Sequence, residues 1–177
     1  MKKSIICYLL VLLGLMILFS GCKGTSKDIQ KTEQQAKLAL FLVKDLKPYE
    51  AYKVELDKLS LESTPVLTDS EILEYSWATH EFRLSQDVLL ERLKGSVPIT
   101  IGRAFVLVAN GERIYLGAFW SHLSSVSPPD IPIINSIWSR EDKYKYKSYK
   151  IDYFSNGKDL RKDERIYEVL KKAGKLK

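Results

Sequence analysis

A chain of 177 residues with 28 Lys plus Arg against 22 Asp plus Glu, a formal charge of +6 and 45% hydrophobic residues has the size and balance of one globular domain. It is too short for a multidomain machine, and its nine Gly and six Pro are too few for a collagen-like or low-complexity chain. No period of roughly 20 to 50 residues recurs, which excludes solenoids and propellers.

The first element is an apolar run from Ile5 to Phe19, preceded by Lys2 and Lys3 and followed by Ser20, Gly21 and Cys22. A positive start, an apolar middle and small residues before a cleavage point are the three parts of an export signal. The run is shorter than the roughly 20 apolar residues that a bilayer-crossing helix needs. Its end, Phe19-Ser20-Gly21-Cys22, resembles the lipobox of bacterial lipoproteins, with Phe19 where Leu is commoner. The resemblance implies a signal peptide over 1–21, a diacylglyceryl thioether on Cys22 with a further acyl chain such as palmitate on its amine, and attachment to the extracytoplasmic side of a bacterial membrane. The outer membrane is included if the source has one, because Lys23 stands where an inner-membrane retention signal has Asp. More than one acyl chain is what stable anchoring requires. The other reading is an ordinary signal peptide, or an N-terminal membrane helix, with an incidental Cys.

Cys7 and Cys22 are the two cysteines, so a domain that begins after the anchor has no disulfide, thiolate nucleophile or cysteine zinc site. The small polar residues Lys23–Asp28 read as a tether over 22–30, with a single extracytoplasmic domain over 31–177. Leu38–Val43 reads as a strand, and Tyr52–Leu61, with Val54, Leu56, Leu59 and Leu61 at near-alternate positions, as a second. Thr68 or Asp69 caps a short helical turn through Ile72 and Leu73, with Glu71 placed for a capping box on Thr68. His80–Leu84 reads as a strand. Ser85 then caps an amphipathic helix carrying Val88, Leu89 and Leu93 that stops at Gly95. Ala104–Ala109, Asn110-Gly111 and Arg113–Phe119 read as a β-hairpin with a type I′ turn. Ser121–Pro132 is a loop, broken by Pro128, Pro129 and Pro132, and Ile133 and Ile134 reopen an apolar stretch. Lys143–Phe154 reads as a polar, aromatic strand, and Arg161–Ala173 as a terminal helix with Ile166, Leu170 and Ala173 on one side and Gly174 at its end. The expected fold is α+β: a small, largely antiparallel sheet with the Asn-Gly hairpin, one central amphipathic helix and a C-terminal helix.

Three stretches in this order carry a second likeness: Pro65–Ile72 with its Leu67-Thr68 turn, Phe82–Ser85 opening a helix, and Gly102–Gly111. They resemble the extracytoplasmic region of SecD-type export proteins, where a "Leu-Thr" turn, a strand entering a helix and a "Gly-Lys-x-Leu-Ala-Ile-x-x-Asp-Gly" hairpin follow one another. The likeness covers about the middle third of the chain and implies a fold. A motor role does not carry over, since no later transmembrane block follows and Gly117–Ser121 replaces the family's "Ala-Pro" segment.

Chemistry is sparse. His80 and His122 are far apart in sequence and would need Glu74, Glu81 or Asp130 to make a metal site, so none is expected, nor is any cofactor. Ser121-His122 lacks the Gly-x-Ser-x-Gly elbow of a hydrolase, and neighbours in an extended segment point to opposite sides. Glu71, Glu74, Glu81 and Asp130 are possible glycosidase carboxylates without a spacing that singles them out. Gly102, Gly111 and Gly117 do not form a phosphate loop. Lys143–Lys150 interleaves Lys with Tyr, but export argues against nucleic acid, and alternation suits a half-buried strand with Lys guarding its edge. Lys171, Lys172, Lys175 and Lys177 suit the negative end of the terminal helix. The candidate recognition surface is Tyr115, Trp120, His122, Ser124, Ser125 and Trp138: aromatics beside a proline-stiffened loop offer contact area at low entropic cost. The plainer reading puts Tyr115, Phe119 and Trp120 in the core. The expected function is a non-catalytic binding or accessory domain, anchored through Cys22 and facing an envelope protein or wall component. The alternative is an envelope hydrolase using His80 or His122 with a nearby carboxylate or serine.

Overall fold

The computed structural model describes residues 37–98, 100–135 and 148–177. The expected signal segment, Cys22, the tether, Trp138 and Lys143–Lys147 lie outside them. The fold is α+β. Its strands are β1 (Leu38–Leu42), β2 (Leu67–Thr68), β3 (Ile72–Ser76), β4 (Glu81–Leu84), β5 (Arg103–Ala109), β6 (Glu112–Trp120), β7 (Ile133–Asn135) and β8 (Ser148–Asp152). Its described helices are α1 (Pro48–Ala51), α2 (Val88–Leu93) and α3 (Glu164–Lys172). The strands form one mixed sheet in the order β2-β1-β5-β6-β7-β8-β4-β3. All described pairings are antiparallel except β6 with β7.

The sheet is organised around β5 and β6, which pair from Arg103–Phe119 to Ala109–Glu112. Asn110 and Gly111 join them at φ 50° and 83°, the left-handed region that Asn tolerates and Gly enters freely. Alternation along the two strands sends Phe105, Leu107, Tyr115 and Phe119 into the larger core, and Ala104, Val106, Leu116, Ala118 and Trp120 into a second one. The larger core is closed by α2 and α3 through Leu89, Leu93, Ile166 and Leu170. The second is closed by Ala51 of α1, Leu59 and Ile131. Both faces of the central strands are therefore buried, which explains their near-continuous apolar sequence.

The expectation of a small sheet is corrected, since eight strands take part among the described residues. Several are only two to five residues long, too short to give a periodic signal. Ile72–Leu73 is not helical. Asp69–Glu71 makes one 3₁₀ turn and Ile72 opens β3. The Thr68 N–H and Oγ1 both donate to Glu71 Oε2, at 2.8 and 3.0 Å. Tyr52–Leu61 is not a strand either. Pro48 takes the first helical position of α1, where its missing N–H costs nothing, and Leu56–Lys58 is a 3₁₀ turn. The cap of α2 is Asp87 rather than Ser85: Asp87 Oδ1 accepts the Leu90 N–H at 3.1 Å, while Ser85 Oγ donates to the Glu71 carbonyl at 3.2 Å. The terminal helix begins at Glu164 with Asp163 as its cap, and Leu160–Lys162 is a separate 3₁₀ turn.

Candidate functional site

Tyr115 and Trp120, expected on one recognition surface, are both buried and face opposite sides of β6, Tyr115 in the larger core and Trp120 in the second. They are not brought together. His122 and Ser125 are exposed and Ser124 is half-buried, so the polar part of the expected surface lies on the loop without the aromatic part.

The loop is pinned. Ser124 Oγ donates to the Thr100 carbonyl at 2.8 Å and accepts the Val126 N–H at 3.1 Å, while Ser121 Oγ accepts the Leu123 N–H at 3.1 Å. Tyr49 Oη, from α1, donates to the Ser127 carbonyl at 2.6 Å, and Ser155 Oγ donates to Asp130 at 2.9 Å. Trp120 supports this layer from beneath, edge-on to Tyr49 with ring centroids 6.4 Å apart. The pinned loop holds Leu123 and Val126 in water, 71% and 46% exposed, next to the half-exposed ring of Tyr49. Phe154, 72% exposed, neighbours the Ser155 that binds Asp130. Sequence reasoning pointed to the aromatics and missed these apolar residues. The available signal was two aliphatics set singly among serines, where neither strand nor helix periodicity gives them a buried face.

The second constellation surrounds His80, which closes the β3–β4 turn at φ 56° and is 2% exposed. Its N–H donates to the Ser76 carbonyl at 2.8 Å and its carbonyl accepts the Ile151 N–H at 3.0 Å, so two strands fix the residue. Nδ1 lies 2.9 Å from Tyr75 Oη, and Nε2 lies 3.8 Å from Asp159 Oδ2, too far for a hydrogen bond. Asp159 is held by Arg161 through Nε at 2.8 Å and Nη2 at 2.9 Å, and Arg161 Nη1 donates to the Ile151 carbonyl at 2.8 Å. Burial, aided by the Arg161 charge and opposed by Asp159, pushes the His80 pKa down to about 4, so the imidazole is neutral at pH 7. The neutral ring carries one proton, and its tautomer decides which of Tyr75 Oη and Nδ1 donates in their shared hydrogen bond. Hydrogen bonds from Arg161 hold the Asp159 carboxyl below its ordinary range. Two buried polar atoms here, His80 Nε2 and Tyr115 Oη, have no hydrogen-bond partner among the described residues.

A carboxylate thus stands near His80, but the adjoining cavity, lined by Tyr75, Tyr115, Phe82 and Ile151 among others, is only about 30 Å³. That is room for a water-sized group, not for a substrate. Among the described residues no group of three or more His, Cys, Asp or Glu could hold a metal ion, and no helix is long and apolar enough to cross a membrane. The chain matches no family model, no curated protein and no solved structure.

Proposed function

We propose that this chain is a lipid-anchored accessory domain of the bacterial envelope, held through Cys22 on the extracytoplasmic side and binding a protein or wall component with the Ser121–Pro132 loop. The observation that carries the binding half is the pinned loop itself: Leu123 and Val126 are kept exposed on a segment fixed by side-chain hydrogen bonds, and fixed exposed apolar groups are what interaction sites present. The placement of the chain's entry supports it. The Lys37 carbonyl accepts the Asn110 N–H at the turn between β5 and β6, whereas the loop leaves the far end of β6, about 30 Å away at the strand rise. Lys37 and the loop thus lie at opposite ends of the β5–β6 pair. Fourteen residues separate Cys22 from Lys37, at most about 50 Å when extended.

Two measurements test the two halves. Mass spectrometry of the mature N-terminus should find an acylated Cys22, and Cys22→Ala should release the protein from membranes. An unmodified N-terminus ends the anchor reading. A photo-crosslinking residue at position 123 should give envelope adducts that one at position 172 does not, and equal labelling at both ends the binding reading. The hydrolase alternative rests on the His80–Asp159 approach. Hydrolytic turnover lost in His80→Gln and retained in His122→Ala would favour it.

A further inference from the structure

β3 is the last strand of the sheet, and its outer edge is occupied by the chain's own tail. The Tyr75 N–H donates to the Lys175 carbonyl at 2.7 Å and the Lys177 N–H donates to the Tyr75 carbonyl at 3.0 Å, a parallel bridge with Leu176 opposite Tyr75. Leu176 packs against the larger core, and Lys177 Nζ lies 3.5 Å from Glu74. We propose that this edge is a docking site for an extended polypeptide segment with an apolar residue between two basic ones, and that Lys175-Leu176-Lys177 occupies it in cis until such a segment displaces it.

Four features support this, none of which depends on the anchor or the Ser121–Pro132 loop. The tail is lightly held. Gly174 at φ 66° ends α3, whose last turn is closed by the Gly174 and Lys175 N–H groups, and past that point Lys175–Lys177 meet the edge through two main-chain bonds, the packing of the partly buried Leu176 and one exposed ion pair. The edge is rigid without it, because Tyr75 is fixed from inside by its hydrogen bond to His80 and across the sheet by Phe82. Lys177 also borders a groove of about 230 Å³ that spans β3, β4 and β8 and is lined by Glu74, Glu81, Arg83 and Ser148 among others, with Arg83 Nη2 3.2 Å from Glu74, so two carboxylates and one cation stand beside the basic end of the segment. Leu73, left half-exposed at the register shift between Ile72 and Glu74, adds an apolar contact on the same strand. Strand addition of this kind takes its affinity from main-chain bonds and its selectivity from alternate side chains.

The test uses the full chain and a fluorescein-labelled hexapeptide, Lys-Ala-Gly-Lys-Leu-Lys, followed by anisotropy. Leu176→Asp should free the edge, so that this variant binds the peptide saturably and at least tenfold more tightly than the unaltered protein, while a peptide with Asp in place of Leu does not bind. A folded variant that binds no better than the unaltered protein, or that binds both peptides alike, overturns the proposal. Hydrogen exchange on the unaltered protein gives a second reading that needs no variant. The Tyr75 and Lys177 amides should exchange at least a hundredfold faster than the β5 amides, and equal protection overturns the displaceable tail.

Discussion

At the scale of single residues, His80 makes stability depend on pH in a defined window. Its folded pKa, about 4, lies below the ordinary 6.5, so the unfolded chain takes up the proton first. The neutral imidazole's contribution is complete above about pH 6.5 and is lost as the pH falls toward 4, by up to about 3 kcal/mol. Denaturant titrations at pH 7.5, 5.5 and 4.5 should trace that fall, and His80→Gln should flatten it. Tyr115 gives the opposite kind of expectation. Its buried hydroxyl has no partner among the described residues, so Tyr115→Phe should leave stability unchanged or raise it by about 1 kcal/mol, whereas a hydroxyl in a good hydrogen bond would make the same change costly. Gly117 is fixed by close approach: a Cβ there would run into the Phe105 ring and the Pro132 carbonyl. Gly117→Ala should therefore cost about 1–3 kcal/mol, read as a lower denaturation midpoint.

At the scale of elements, the longest runs were the most legible. Ala104–Ala109 and Arg113–Phe119 fall within β5 and β6 because seven to nine residues with both faces buried leave an unmistakable apolar record. β3 was hidden: its register shift between Ile72 and Glu74 breaks the two-residue alternation, and the Thr68–Glu71 contact that suggested a helix closes a single turn instead. Near-alternate apolar residues in Tyr52–Leu61 serve a different geometry, since Leu56, Leu59 and Leu61 approach the second core from a 3₁₀ turn and an isolated bridge. The site was less legible than the fold. The alternation that makes β6 a strand sends Tyr115 and Trp120 to opposite faces, and the cover on both faces buries them. Helix caps were readable in type but not in position, and the structure makes the position testable: Asp163→Ala should destabilise the protein by about 1 kcal/mol, while removing Ser85 Oγ, which caps no helix, should cost less.

At the scale of the whole molecule, the exposed large apolar residues are unevenly spread. Tyr49, Tyr52, Val54, Leu123 and Val126 belong to the two segments that roof the second core, and Phe154 is linked to that roof through Ser155. Replacing Leu123 and Val126 together by Ser should leave the unfolding free energy within about 0.5 kcal/mol of the original. Trp120→Ala, by contrast, empties part of the second core and should cost about 3–5 kcal/mol, so lost binding in that variant would report unfolding rather than contact.

The strand order also governs when the molecule can fold. β1 finds its central partner in β5, pairing Leu38 with Ala109, and β4 finds its partner in β8, pairing Glu81 with Lys150. A chain emerging from its N-terminus therefore has no complete sheet to form until nearly all of it is present. Such long-range closure places the folding time in the millisecond-to-second range typical of sheet topologies. On the export reading proposed above, that delay keeps half-emerged chain slack, and the finished sheet locks only once both distant partners are on the same side.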